Sequence, residues 1–164
     1  MKTVYLALGS NLGDREAHLR RAMEQLKSPE LRITKVSGIY ETAPQGFLDQ
    51  GWFLNLVLEA TTALFPLQLL LGCKRVERLL KRQRRVANGP RTIDIDVLFY
   101  GDIVIHSRGF EVPHPRYHER RFVLEPLADL APALRDPVTK RSVREMLAGV
   151  MDQKVTRTAI VISP

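Results

Sequence analysis

Between Ile93 and Val97 the chain alternates apolar and acidic residues, Ile93-Asp94-Ile95-Asp96-Val97. A period of two is that of a β-strand, so Asp94 and Asp96 point to one face and their apolar neighbours to the other. Two positions along a strand separate the aspartate Cα atoms by about 6.6 Å. At that spacing two carboxylates repel each other unless something positive lies between them. A strand that sends Ile93, Ile95 and Val97 into a core and sets two acids side by side on its other face therefore asks for a cation. Oxygen donors suit a hard divalent ion.

The segment just before this strand supplies charge of the opposite sign. Residues 74–91 carry eight cations against one anion, Glu77, which is the whole net charge of +7. Cations at the end of a helix are favoured by its dipole, and that accounts for part of the pattern. The second reading is an anion site that runs straight into the acidic strand. Cations for an anion beside carboxylates for a metal describe a metal–polyphosphate site.

Length and composition set the frame. A chain of 164 residues, 45% of them hydrophobic, is read as one domain over 1–164 with a real core. The single cysteine, Cys73, excludes an internal disulfide and fits a reducing compartment. The apolar start is too short for a signal peptide, and residues 60–73 fall short of the roughly 18 apolar residues a membrane helix needs. A cytoplasmic protein without a membrane span is expected.

Periodicity and turn residues place the elements. A strand is expected over 3–8, ending at Gly9-Ser10-Asn11-Leu12-Gly13-Asp14. Asp14 is a good cap for a helix with an apolar stripe of Ala17, Leu19, Ala22, Met23 and Leu26, closed by Ser28-Pro29. A second strand is expected over 31–41 with Gly38 as a bulge, then a loop over 42–51 and a third strand over 52–61. Pro66 opens a helix reaching about Arg85. A fourth strand over 92–100 turns back at Gly101-Asp102 into 103–106 as a hairpin. Strand–helix–strand, twice over, is the order of an α+β, ferredoxin-like (split βαβ) antiparallel sheet. After Pro113-His114-Pro115 a C-terminal helical appendage follows, with helices over 121–130 and 142–150 and a weak edge strand over 155–162.

Three segments together carry a resemblance: Gly9-Ser10-Asn11-Leu12-Gly13, Gly89-Pro90-Arg91-Thr92-Ile93-Asp94-Ile95-Asp96, and the run from Val112 through His114, Arg120 and Phe122. Thr42-Ala43-Pro44 and Phe53-Leu54-Asn55 add to it. Over roughly residues 3–130 the chain resembles the 6-hydroxymethyl-7,8-dihydropterin pyrophosphokinases, folate-pathway enzymes that move a pyrophosphoryl group from ATP to a pterin alcohol.

The resemblance implies a site residue by residue. Asp94 and Asp96 are expected to bind two magnesium ions bridging the triphosphate, and such metal pairs lie about 3.5–4 Å apart. The hydroxymethyl oxygen is expected to attack the β-phosphorus in line, with AMP leaving; no general base is assigned. ATP is expected to meet Glu77, Arg82, Arg84, Arg91, His114 and Arg120, with Arg82 and Arg91 also catalytic. The arginine fork binds phosphate oxygens in pairs where lysine offers a point charge. The pterin is expected at Thr42, Ala43, Pro44, Asn55 and Phe122, where the Asn55 amide both donates and accepts, as an aminopyrimidinone edge does. Taken from the residues alone, Asn55 is equally a polar residue on an exposed strand face, Phe122 a core residue and His114 a surface turn between two prolines.

The chain departs from the family at one loop. Asn88 stands where the family commonly has Trp, Lys81 where it often has Gly, and the basic loop is a residue shorter, so Arg85 is an alternative to Arg82 or Arg84. Two other readings compete with this one: a basic ferredoxin-like domain on RNA, and a regulatory ATP- or metal-binding domain without turnover. The strands offer no aromatic platform for bases, and two aspartates on a sheet face repel nucleic acid. Small-molecule partners are therefore expected, with no nucleic acid and no membrane. The oligomeric state is open, a monomer being the simplest reading.

Overall fold

Val4, Leu6 and Leu8 alternate with Tyr5 and Ala7 along β1 (Lys2–Ser10), which buries both faces because it lies inside a sheet. The structure is a computed structural model that describes residues 1–44, 50–80 and 92–164. Gly13, at φ 67°, takes the left-handed turn that leads into α1 (Arg15–Leu26). The Asp14 carboxylate accepts the Ala17 N–H at 3.1 Å, the cap expected from the sequence. Leu19, Ala22, Met23 and Leu26 form the buried stripe of the helix.

The strand expected over 31–41 is two strands, β2 (Leu31–Val36) and β3 (Tyr40–Thr42). Both pair antiparallel with β4 (Phe53–Thr62). The register shift falls at Thr34, whose hydroxyl donates to Glu59, and not at Gly38. Gly38 sits in the gap between the strands. Its N–H leaves the ladder for the Asp129 carboxylate at 3.0 Å, and a Cβ there would lie 2.7 Å from the Arg157 guanidinium. The neighbour a Cβ would meet is the end of a flexible, largely exposed side chain, so the glycine marks the break between the strands and no bulge.

After α2 (Pro66–Leu80), β5 (Asp94–Tyr100) pairs antiparallel with the free side of β1. The hairpin expected after β5 forms differently. Gly101 donates its N–H to Thr3 at 2.8 Å, and β6 (Ile105–Ser107) pairs with β7 (Phe110–Val112) in a separate two-stranded sheet. The outer side of β5 is met instead by His114, whose N–H donates to Leu98 at 2.9 Å. A 3-10 turn (Tyr117–Glu119) leads into α3 (Arg121–Leu130); α4 (Val143–Ala148), capped by Ser142, and β8 (Thr156–Arg157) follow. The late edge strand is real but two residues long, on β3.

The main sheet runs β5-β1-β4-β3-β8, with β2 also on β4. One face packs Leu6, Leu8, Leu56, Leu58, Ile95 and Val97 against Leu19 and Met23 of α1 and Leu69 and Val76 of α2. The other packs Tyr5, Val57, Leu98 and Phe99 against Tyr117, Leu124 and Leu127. A register shift of β5 against β1 lets Leu98 and Phe99, neighbours in sequence, both enter this second core. No described helix is long and apolar enough to cross a membrane.

Candidate active site

The second core does not fill its face. Beyond Tyr5 and Val57 it stops, and at that end of the sheet a cavity of about 180 Å³ opens. Its floor is built from small residues: Ala7 and Gly9 of β1 face it, flanked by Asp94 and Asp96 of β5 on one side and Phe53 and Asn55 of β4 on the other. The register explains the set. Gly9 pairs with both Asp94 and Asn55, and Ala7 pairs with Asp96, so side chains from three strands converge over a residue that has none. A Cβ on Gly9 would sit 3.0 Å from the Asn55 Oδ1 and 3.6 Å from the Phe53 ring. The strand expected over 3–8 runs on through Gly9, and the only sign of this cradle in the sequence is a glycine ahead of the turn.

The aspartates are held from behind. The N–H of Ile95, between them, donates to the Glu77 carboxylate of α2 at 2.9 Å. Glu77 is expected at ATP from the sequence, yet it does not line the cavity, and this bond sets the backbone of the acidic pair instead. His114 lies at the edge of the site with Nε2 3.9 Å from the Asp96 carboxylate, and its Nδ1 accepts the Arg116 N–H at 3.1 Å. The proton of the neutral ring therefore sits on Nε2, facing Asp96. Burial holds the His114 imidazole below its ordinary pKa; Asp96 opposes this, and Arg120 and Arg116 add to it.

Opposite the acids the cavity offers a neutral polar wall. The Asn55 amide donates to the Thr42 hydroxyl at 3.0 Å, and both residues are buried. Ala43 lines the cavity; Pro44 is buried but does not. Phe122 and Arg120 form the α3 side, the guanidinium lying 5.6 Å from the ring centroid of Phe122. One cavity thus gathers seven of the expected residues: Asp94, Asp96, Arg120, Thr42, Ala43, Asn55 and Phe122. Arg82, Arg84 and Arg91, with Lys81, Arg85 and Asn88, lie outside the described residues. Phe53, part of the Phe53-Leu54-Asn55 motif, joins the wall. Cys73 is a core residue; burial pushes its thiol up to about 12.

Among the described residues no group of three or more His, Cys, Asp and Glu side chains comes together as a metal cage. Two carboxylates with hard oxygen donors are an incomplete site. Magnesium is commonly held in this way, by one or two carboxylates with substrate phosphates completing the shell. The donor set fits that ion in company with a polyphosphate.

The sequence model of the 7,8-dihydro-6-hydroxymethylpterin-pyrophosphokinase (HPPK) family matches residues 5–132, most of the chain. The chain belongs to this family. A 2-amino-4-hydroxy-6-hydroxymethyldihydropteridine pyrophosphokinase of Aquifex aeolicus (strain VF5) is 45% identical over 145 residues, covering 88% of this chain and 90% of the relative. The enzyme of the same name from Bacillus subtilis (strain 168) is 43% identical over 151 residues, covering 92% and 90%. Membership makes this chain an enzyme of the ATP-dependent pyrophosphokinase class. Among solved structures, wild-type Plasmodium falciparum HPPK-DHPS with SDX-DHP aligns over 93% of this chain with a TM-score of 0.71. At 18% identity that likeness speaks for the fold, and this chain spans 44% of the length of that one.

Proposed function

We propose that this enzyme transfers the terminal diphosphate of ATP to the hydroxymethyl oxygen of 6-hydroxymethyl-7,8-dihydropterin, in folate biosynthesis. The observation that carries the reading is one cavity with two carboxylates on one side of Gly9 and the Asn55–Thr42 pair on the other. A polyphosphate belongs on the acidic side, a flat heteroaromatic ring on the amide side. The bacterial relatives are named as pyrophosphokinases of a hydroxymethyldihydropteridine, which matches the heteroaromatic side. The strand order, with α1 and α2 on one face, supports a ferredoxin-like split βαβ core, on which the residues after 113 form the appendage.

In this reading the pterin lies against Phe122, its edge hydrogen-bonded by Asn55 and by groups at Thr42, Ala43 and Pro44. Asp94 and Asp96 are the residues that would hold two magnesium ions, and magnesium bound there neutralises the triphosphate charge and orients it. His114 and Arg120 take phosphate oxygens from the described part of the chain, and Arg82, Arg84 and Arg91 take them from the basic segment. Glu77 serves ATP indirectly, through the strand it fastens. The hydroxymethyl oxygen forms a bond to the β-phosphorus while the bond from that phosphorus to the α–β bridging oxygen breaks. AMP leaves with the electron pair, and the hydroxyl proton passes to solvent. Positioning and charge neutralisation do most of this work, Arg82 and Arg91 acting on the transferring group. One domain over 1–164, working in the cytoplasm, completes the proposal.

The test is AMP formation from ATP, the pterin alcohol and magnesium. Pterin-dependent AMP is expected, and Asp96→Ala should lower the rate at least 10²- to 10³-fold, the usual scale for losing a charge-stabilising group. Its melting temperature should hold or rise, since like-charge repulsion goes too. No AMP above background from the wild type at saturating substrates would overturn the reading.

A further inference from the structure

Arg15, the first residue of α1, lies on the opposite side of the sheet from the cavity and does not line it. Its Nη1 donates to the Glu41 carboxylate at 2.6 Å and also to the carbonyl of Trp52 at 2.9 Å. These two partners sit at the two ends of one connection. Glu41 is the middle residue of β3, and Trp52 immediately precedes β4. Each is the chain neighbour of a cavity residue, Thr42 and Phe53, and those two are paired in register at the end of the β3–β4 ladder. The parity of the strands accounts for the geometry. Thr42 faces the cavity, so Glu41 faces α1, where a cation at its first turn can reach it.

The last rung of a three-residue ladder is the first to fray. Here the rung carries one wall of the cavity, and Thr42 holds the Asn55 amide at 3.0 Å. The amide of Asn11 adds a bond to the carbonyl of Gly51 at 3.1 Å, on the β4 side of the connection. Arg15 alone among these groups ties β3 to the residue before β4 through a single guanidinium. Its ion pair with Glu41 is about one-third exposed, 31% and 35%, so as a stability element it counts for little. As a positional one it counts for more, because it fixes the rung from which Thr42 and Phe53 project.

We infer that Arg15 is a positioning residue for the heterocycle side of the site: it straps the Thr42–Phe53 rung from behind the sheet and so sets how tightly the pterin ring is bound. This rests on the function proposed above. Its mark is a split in kinetic constants, since the acidic side hangs on β5 and Glu77 and is independent of the strap. In Arg15→Ala the KM for the pterin alcohol should rise about fivefold, the upper end for one partly exposed charge-assisted contact. The KM for ATP and kcat should stay within about twofold. Arg15→Lys should recover part of the loss, because one ammonium reaches Glu41 but lacks the fork. Glu41→Ala should reproduce the loss, and the double variant should be no worse than either single one.

Trp52, the only tryptophan of the chain, reports on the same strap. Its emission should shift to the red in Arg15→Ala without ligand. Equal changes in both KM values and in kcat, or an unchanged pterin KM, would overturn the inference. A wild type that forms no AMP refutes the proposed function instead. The strap is then judged by titrating the pterin alcohol alone and following Trp52: weaker binding to Arg15→Ala supports it, and equal binding overturns it.

Discussion

Asp94 and Asp96 were legible as a pair because side-chain direction along a strand depends only on counting by two. The partners that make them a site were not. Gly9 became a floor residue only when β1 was set between β4 and β5, which brings Asp94 to one side of it and Asn55 to the other. That placement carries a prediction. In Gly9→Ala the new methyl meets the Asn55 Oδ1 at 3.0 Å, and Asn55 is buried with its amide bonded to Thr42, so it has little room to yield. Binding of the pterin alcohol should weaken about tenfold, the cost of misplacing one buried hydrogen bond. Isothermal titration with the pterin alcohol measures it, and unchanged affinity would show that the floor does not touch the ring. Glu77 teaches the converse. Its charge was visible, but only the packing of α2 on β5 turned its carboxylate to the Ile95 N–H.

The elements were found where periodicity was strong and misjudged where a single tertiary bond decided the outcome. Helix α1 was fixed by its stripe and by Asp14, both local. The break between β2 and β3 depends on Asp129, which lies 91 residues beyond Gly38 in the chain. Asp129 also accepts the Tyr40 hydroxyl, whose pKa burial and this carboxylate push up to about 12. The joint between the 3-10 turn and the segment before α4 has a similar tie: the Tyr117 hydroxyl donates to buried Asp136 at 2.6 Å. Burial alone would raise the Asp136 pKa, but Tyr117 and the N–H groups of Thr139 and Val138 bond the ionised form and bring it below the ordinary value. A lowered folded pKa means the carboxylate stabilises the fold above the unfolded value, about 3.9, and that this contribution is lost as pH falls through the folded value. Urea midpoints of the wild type should therefore fall more steeply below about pH 4 than those of Asp136→Asn. Parallel curves would show that this carboxylate is not coupled to folding.

At the scale of the whole molecule the main sheet carries a core on each face, and the strands β1, β4 and β5 contribute to both. Neither core can melt without exposing strands that the other needs. Leu124→Ala, in a fully buried position of the second core, should cost about 3 kcal/mol. Circular dichroism and Trp52 emission should still report a single coincident transition. Two separated transitions would mean that the helices after residue 120 fold as a unit of their own. What could be read without coordinates was whatever is written in neighbouring residues: the acidic strand, the capped first helix, the concentration of the entire +7 charge before the strand, and motifs distinctive enough to imply the family. The rest depended on which strands became neighbours. Register between β1, β4 and β5 chose the cavity's floor, the diversion of one N–H split a strand, and a guanidinium behind the sheet came to hold its wall. Each of these joins residues distant in sequence, and their pairing follows from burying two faces of one sheet at once, a constraint that no local run of residues carries.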